Sequence, residues 1–398
     1  MKKIIVLCTF IMSSIWAIAQ EKMILYNGNI VNTNTGEILY NQTIYIKNGI
    51  ISKIVPAKKH KTKGEIDVSG KFLMPGMIDS HTHFGNFSYD STAAHKLSKE
   101  HLKNGVTTVR DVGGNYLYIK NYQNLVKRGS FFGPKIFYSS IWATGDFKMP
   151  DYHTKGAKSK NTAWSRMFSI KDSSDSALET AVLEAKAIGC LGFKLYIHYS
   201  EKDLVRLVPI VKKHGMKVWA HSSQATGAQA FEVAKSGVEV MSHAYLIPKN
   251  FYIPRKDLTE KEIEYVRHTL QEMKKNNVVL DITLALSYGS KNYFAAEVAK
   301  EAYQAGVKFV IGTDLPGCEF LKEIELLSKE CGIKNLDILR AATITGAEIL
   351  EQQDYIGSLK KGSFADILVL PENPIEDLTV LNRIEKTIIN GQIAYTRE

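Results

Sequence analysis

Cysteine is scarce in this sequence of 398 residues, which contains only four. Domains built on a disulfide framework usually carry an even number of closely spaced cysteines. Here Cys8 lies near the start, and Cys190, Cys318 and Cys331 show no such spacing. A chain of this length can bury a core that folds without bridges. We therefore expect the three later cysteines to be free thiols, with a bridge between Cys318 and Cys331 as the less favoured alternative.

Long apolar runs are absent after the first 20 residues, so no later segment is expected to cross a membrane. The chain begins with Lys2 and Lys3, an apolar run over 4–16 and an Ala-Ile-Ala sequence at 17–19. This order is typical of a secretory signal peptide, and the run is too short to favour a membrane span. We expect residues 1–19 to be removed and the mature protein to be periplasmic or secreted.

A continuous basic surface is also missing, although the formal net charge is +10. Many lysines occur as scattered pairs, and no basic stripe is interleaved with aromatic residues. Nucleic-acid binding is therefore not expected. The positive charge is compatible with attraction of an anionic substrate or of the bacterial envelope.

Two kinds of pattern divide the chain. Short strand-like runs with Asn-Gly turns lie at both ends, and neither set is large enough to bury a core alone. We expect 20–70 and 356–398 to form one composite β-sandwich domain. Over 71–355, short apolar strands alternate with amphipathic helices, which is typical of a parallel α/β fold. Candidate strands lie near 73–80, 106–110, 135–138, 192–196, 217–221, 238–243, 278–283 and 308–313. Eight such units predict an α/β fold of the (β/α)8 TIM barrel type, with reactive side chains at the carboxyl ends of the strands.

His81 and His83 end the first candidate strand. Alternate residues of a strand share a face, so both imidazoles can reach one cation. Neutral imidazole nitrogens are ligands that zinc, iron and manganese accept. Taken alone, the pair has an ordinary interpretation as surface histidines.

Further candidates lie on later strands at the same level. Lys194 lies within the apolar fourth strand, where an unpaired ammonium would be costly, and His221, His243 and Asp314 end the fifth, sixth and eighth strands. Each has an ordinary structural reading, such as a capped histidine or a surface lysine. Their common register favours one metal site.

The ordered set of these six residues resembles the amidohydrolase superfamily. It is similar to the binuclear members of the imidazolonepropionase-like or prolidase-like branch, which carry a lysine on the fourth strand. The segments 105–111, 341–347 and 357–367 support the resemblance, which covers nearly all of the mature chain.

The resemblance implies two divalent metal ions, most simply zinc. His81 and His83 would bind the more buried ion, and His221 and His243 the more exposed one. Lys194 would bridge both ions as a carbamate. Asp314 would have two roles: it would bind the more buried ion, and it would accept the proton of a metal-bridging hydroxide. The reaction implied is hydrolysis of an amide-type carbon–nitrogen bond.

The substrate is expected to be a small organic molecule carrying a carboxylate, such as a dipeptide or an N-acyl amino acid. The long segment 144–168 is expected to overhang the site, and His198 and Tyr199 are the predicted substrate contacts. A homo-oligomer is expected.

Several alternatives stay open at this point. Lys194 argues against an imidazolonepropionase, because those relatives work with one metal and lack this lysine. The sequence Ser-Ser-Gln-Ala at 222–225 lacks the glutamate that a deaminase would carry after His221. A lactone, ester or organophosphate hydrolase on the same site, or a non-catalytic metal-binding protein of the envelope, remain as alternatives.

Overall fold

The described part of the chain contains two sheets: one forms a barrel, and the other is built from strands near both ends of the chain. The computed structural model describes residues 22–144, 147–249, 257–289, 294–315 and 317–398. The predicted signal peptide, residues 1–19, lies outside this part. Across the described residues, every helix is too short or too polar to cross a membrane.

The strands and helices are as follows in chain order. The strands are β1 Lys22–Val31, β2 Ile38–Lys47, β3 Ile50–Pro56, β4 Ile66–Asp67, β5 Phe72–Pro75, β6 Met77–Thr82, β7 Val106–Asp111, β8 Lys135–Ala143, β9 Ser165–Met167, β10 Gly192–Leu195, β11 Lys217–His221, β12 Val240–Ser242, β13 Val279–Asp281, β14 Phe309–Val310, β15 Ile367–Leu370, β16 Lys386–Ile389 and β17 Gln392–Thr396. The helices are α1 Phe84–Phe87, α2 Ser91–Lys103, α3 Tyr116–Lys127, α4 Asp175–Ala187, α5 Glu201–Lys213, α6 Ala230–Lys235, α7 Glu260–Lys275, α8 Leu284–Ser287, α9 Ala295–Ala305, α10 Phe320–Lys329, α11 Asn335–Arg340 and α12 Gly346–Ile349.

The barrel consists of parallel strands in the order β6, β7, β8, β10, β11, β12, β13 and β14. The backbone N–H of Ser80 donates to the carbonyl of Ile311 at 2.8 Å, which joins the last strand to the first. Two of the outer helices begin at side-chain N-caps. Ser200 accepts from a backbone N–H in the first turn of α5, and Thr259 accepts from one in the first turn of α7. Such caps satisfy donors that a helix leaves unpaired. The predicted TIM barrel is confirmed, and its core is the main hydrophobic cluster between the sheet and the helices.

The apolar run predicted as the first barrel strand is divided at Gly76. Residues before it form β5 in the second sheet, and residues after it form β6. A β-carbon at Gly76 would lie 2.1 Å from Oγ1 of Thr107. Only glycine therefore allows the chain to pass this close to β7 while it changes from one sheet to the other.

The second sheet joins both ends of the chain, in the order β17, β16, β15, β5, β1, β2 and β3, with β4 paired to β1. It confirms the prediction that the two termini build one additional domain. Its buried face carries a separate apolar cluster that includes Leu25, Ile44 and Ile367. Lys135 at the start of β8 donates to both carboxylate oxygens of Asp366, at 2.8 and 2.6 Å, which fixes this sheet to the barrel.

Candidate metal centre

The carboxyl end of the barrel brings the predicted histidines around Asp314. Two imidazole nitrogens approach one carboxylate oxygen: Nε2 of His83 lies 3.2 Å and Nε2 of His81 lies 3.6 Å from Oδ1 of Asp314. Nε2 of His243 lies 3.8 Å from Oδ2 of the same residue. The ring of His221 lies 4.8 Å from that of His243. All four histidines and the aspartate thus belong to one cluster.

The inner part of the cluster has the donor set of a metal site. The ligand atoms of His81, His83 and Asp314 all lie within 4.8 Å of one another. Imidazole nitrogen and carboxylate oxygen are donors that zinc and other divalent ions accept. These residues therefore fit a divalent ion.

Backbone geometry directs two of these side chains. Asp314 has a positive φ of 52°, and His243 one of 75°. The N–H of Asp314 donates to the carbonyl of His81 at 2.8 Å, and the N–H of His243 donates to that of Asp281 at 2.8 Å. Non-glycine residues rarely adopt such backbone angles, and where they do the strain is often functional. Here the turns aim both side chains at the centre of the barrel mouth.

Burial and neighbouring cationic groups keep the imidazoles of His221 and His243 neutral. Burial, together with Lys194 and the neighbouring histidine, lowers the pKa of His221 well below its usual value. Burial and His81 do the same to the pKa of His243. Nδ1 of His243 lies 2.9 Å from Oγ1 of Thr283, which leaves Nε2 to face Asp314. A neutral imidazole with one nitrogen anchored is the form that binds a metal.

Asp314 is the carboxylate of the cluster. Burial alone would raise its pKa, but His81, the hydrogen bond from His83 and the charge of His243 lower the pKa overall. Its side chain keeps 16% of its surface exposed. Asp314 is therefore ionised and accessible from the barrel mouth.

Lys194 lies on β10 and is 1% exposed. Its Nζ donates to Oγ of Ser242 at 2.6 Å. Burial lowers the pKa of Lys194 to about 7, against the attraction of Asp281, and Arg110 lowers it further. The amine is therefore available in its neutral form near neutral pH.

Two residues below the cluster were missed by the sequence reasoning. Oδ2 of Asp281 lies 2.6 Å from Nδ1 of His81, and it accepts from Nη2 of Arg110 at 2.8 Å and from Oγ of Ser242 at 3.0 Å. Arg110 lies over the ring of Trp219 at 4.6 Å and donates to the carbonyl of Ser80. Burial raises the pKa of Asp281, but His81, Arg110 and Lys194 outweigh it and bring the pKa to about 2. The available signal was a charged residue inside an apolar strand, the same signal that singled out Lys194.

Asp79 connects the first and last barrel strands. It accepts from Oγ1 and the backbone N–H of Thr313, at 2.8 and 3.2 Å, and from the N–H of His81 at 3.1 Å. Burial raises the pKa of Asp79 to about 7. The residue next to Asp314 is thereby held against the strand that carries His81.

The predicted substrate contacts lie in different surroundings. His198 has its Nδ1 2.8 Å from Oγ1 of Thr226 and its ring 6.5 Å from that of Phe147. Tyr199 is 0% exposed and packs in the main hydrophobic cluster. Two other tyrosines contact the histidine cluster instead: the ring of Tyr196 lies 4.6 Å from that of His221, and the ring of Tyr245 lies 5.5 Å from that of His243.

The segment predicted to overhang the site does approach it. The ring of His153 lies 6.1 Å from that of His83. Nδ2 of Asn115 donates to the carbonyl of Tyr152 at 3.0 Å, and Nε1 of Trp164 donates to that of His153 at 2.8 Å. The first bond holds the segment against the loop that follows β7, and the second joins two parts of the segment itself.

Comparisons with known proteins agree with the fold. The sequence profile of the Amidohydrolase family matches residues 72–394. Ochratoxinase of Aspergillus niger is 25% identical over 409 aligned residues, which cover 90% of this chain and 82% of the ochratoxinase. Imidazolonepropionase of Porphyromonas gingivalis is 21% identical over 407 residues, or 89% of each chain. The crystal structure of a Xaa-Pro dipeptidase with bound methionine has the same fold, with a TM-score of 0.73, 20% identity, and coverage of 95% of this chain and 100% of that one.

Proposed function

This chain belongs to the amidohydrolase family, and on that basis we propose that it cleaves the amide bond of a dipeptide or an N-acyl amino acid at a binuclear metal centre. A structural neighbour is named a Xaa-Pro dipeptidase, and a dipeptidase cleaves the amide bond between two amino acids. The observation that carries the proposal is the cluster itself, in which three imidazoles surround the one carboxylate of Asp314.

The proposed ligands divide into two groups. His81 and His83 would hold the inner ion together with Asp314, and His221 and His243 would hold the outer ion. When bound, two divalent ions, with zinc as the first expectation, would supply an activated water and polarise the scissile carbonyl. The neutral state of His221 and His243 supports this role, because a protonated imidazole has no lone pair to offer.

Lys194 would link the two groups as a carbamate. An ammonium at this position would repel cations, whereas addition of carbon dioxide to the neutral amine creates an anionic carboxylate at the same place. Complete burial and the lowered pKa of Lys194 both favour the neutral amine that this addition needs.

Asp314 would accept the proton of the attacking water. Being ionised and partly exposed, its carboxylate can take a proton from the attacking water and return it to the leaving nitrogen. Tyr196 and Tyr245 would form the substrate wall, since their rings lie against those of His221 and His243. Burial raises the pKa of both phenols, so their hydroxyl groups stay protonated and can donate. The carboxylate of the substrate remains part of the proposal. His198 and Tyr199 remain predicted contacts with the substrate, although the burial of Tyr199 favours Tyr196 in that role.

A hydrolysis screen of zinc-loaded protein tests this function. The panel contains dipeptides, N-acyl amino acids, lactones, aryl esters and organophosphate esters. We expect turnover of an amide substrate that Asp314→Asn abolishes and Asp337→Asn, a change on α11, leaves intact. Turnover restricted to lactones or esters, or tight zinc binding without any turnover, would contradict the proposal.

The proposal also includes export of the enzyme to the periplasm or the medium, based on the signal pattern in residues 1–19. N-terminal sequencing of protein from fractionated cells should begin at Gln20. An intact Met1 on cytoplasmic protein would contradict export.

A further inference from the structure

Lys194, Ser242 and Asp281 form a chain of two hydrogen bonds beneath the metal cluster. Nζ of Lys194 lies 2.6 Å from Oγ of Ser242, and that Oγ lies 3.0 Å from Oδ2 of Asp281. All three side chains are buried, with exposures of 1%, 0% and 0%. Ser242 and Asp281 have no place in the ligand set proposed above.

The chemistry of the three side chains determines which atom donates and which accepts in each of these two hydrogen bonds. Oδ2 of Asp281 forms an ion pair with the guanidinium of Arg110 at 2.8 Å, and a carboxylate can only accept hydrogen bonds. The single O–H of Ser242 must therefore point at Asp281. It follows that the Ser242 oxygen accepts an N–H from Lys194, and that the lone pair of the amine points away from Ser242.

We propose that Ser242 and Asp281 are positioning residues that hold the Lys194 amine for addition of carbon dioxide and fix the direction of the carbamate. In this addition, the Nζ lone pair forms the N–C bond, one C=O electron pair moves onto oxygen, and one N–H proton leaves to water. The carbamate nitrogen is planar and keeps a single hydrogen. With that hydrogen held by Ser242, the new carboxylate must point to the opposite side of the nitrogen.

Asp281 couples this lysine to the inner histidine pair. The same Oδ2 that orients Ser242 also lies 2.6 Å from Nδ1 of His81. One carboxylate thus sets the imidazole of His81 and the direction of the Lys194 group together. This inference rests on the proposed function, because it concerns the residue that would bridge its two ions.

The carbamate can be counted directly by ¹³C NMR of zinc-loaded protein in ¹³C-bicarbonate. The measured quantity is the bicarbonate concentration at which half of Lys194 is modified. We expect Ser242→Ala to raise it by about tenfold, as for loss of one buried hydrogen bond. Ser98→Ala, which removes a buried hydroxyl that donates to the carbonyl of Ala94 on α2, should leave it unchanged. Ser242→Thr keeps the hydroxyl and should restore a value near that of the wild type.

The outcomes separate this inference from the function on which it rests. Unchanged half-modification in folded Ser242→Ala would overturn the positioning role and leave the binuclear centre standing. A wild-type protein without any carbamate signal at saturating bicarbonate would instead remove the proposed bridging lysine. Should Ser242→Ala fail to fold, Ser242→Cys has nearly the same volume and a weak acceptor, and the same result is expected of it.

Discussion

Oδ2 of Asp281 lies 2.6 Å from Nδ1 of His81, although the two residues are 200 positions apart in the chain. The contact anchors one ring nitrogen and leaves Nε2, 3.6 Å from Asp314, to face the centre of the cluster. Carboxylates in this position fix the orientation of metal-binding histidines and raise their basicity.

Loss of this anchor should weaken metal binding. We expect Asp281→Asn to raise the Kd for zinc by about 10- to 100-fold, the usual effect of removing such a partner. Competition with a fluorescent chelator measures the Kd. Asp366→Asn, a buried carboxylate at the junction with the second sheet, serves as the control. A Kd that is the same in both variants and the wild type would rule out the anchoring role.

Glu323 should make stability depend on pH. Its carboxylate accepts from the N–H groups of Leu284 and Ala285, at 2.7 and 2.6 Å, and burial raises its pKa to about 8 from the usual 4.5. Between these two pKa values the folded protein holds a proton that the unfolded chain has released. The contribution of Glu323 to the free energy of unfolding is therefore complete below about pH 4.5 and is lost as the pH rises through about 8. Urea unfolding at a series of pH values should show a steeper decline between these limits for wild type than for Glu323→Gln. Parallel curves would mean that Glu323 does not bind this proton.

Tyr196 should matter more to substrate binding than Tyr199. Its ring lies against His221, whereas Tyr199 is buried in the core. We expect Tyr196→Phe to raise KM by about tenfold through loss of one hydrogen bond to the substrate. Steady-state kinetics with Tyr355→Phe, an exposed tyrosine, as the control measures this. An unchanged KM in Tyr196→Phe together with a raised KM in Tyr199→Phe would favour the contact expected from the sequence.

The pair Lys135 and Asp366 should hold the second sheet to the barrel. Asp366 also accepts from the N–H of Asn390 at 2.9 Å. Asp366→Ala would leave the largely buried ammonium of Lys135 without its partner, so we expect a loss of roughly 2–3 kcal/mol in the free energy of unfolding, below the range for fully buried pairs because Lys135 is partly exposed. Asp354→Ala removes an exposed partner of Lys360 and should cost less than about 0.5 kcal/mol. Equal losses in the two variants, measured in urea, would contradict this role.

The sequence was sufficient for the barrel because its strands are short apolar runs between amphipathic helices, a local pattern. It also pointed to the histidines, Lys194 and Asp314, because each stands at a strand end and parallel strands share one mouth. The end of β5 and the start of β6 were not foreseeable in detail, since the break at Gly76 depends on its distance from Thr107 on the neighbouring strand β7.

A charged residue in an apolar strand was a visible signal for Asp281 and Arg110, but their roles depend on contacts between residues far apart in the chain, which no local pattern reveals. The substrate wall was harder to locate for a different reason. Alternation along a strand places Tyr196 on the same face as Lys194. After the strand ends, the positive φ of His198, 70°, changes the direction of the chain, and Tyr199 enters the core instead.

A binuclear centre bridged by Lys194 requires two ions per chain, so the metal content of the protein is its sharpest test. Elemental analysis of zinc-loaded, gel-filtered wild-type protein should give about two ions per chain, and Lys194→Ala should hold fewer and lose activity. Lys217→Ala, a change at the end of β11 opposite to His221, should retain both ions. One ion per wild-type chain, together with full activity in Lys194→Ala, would rule out a binuclear centre bridged by Lys194.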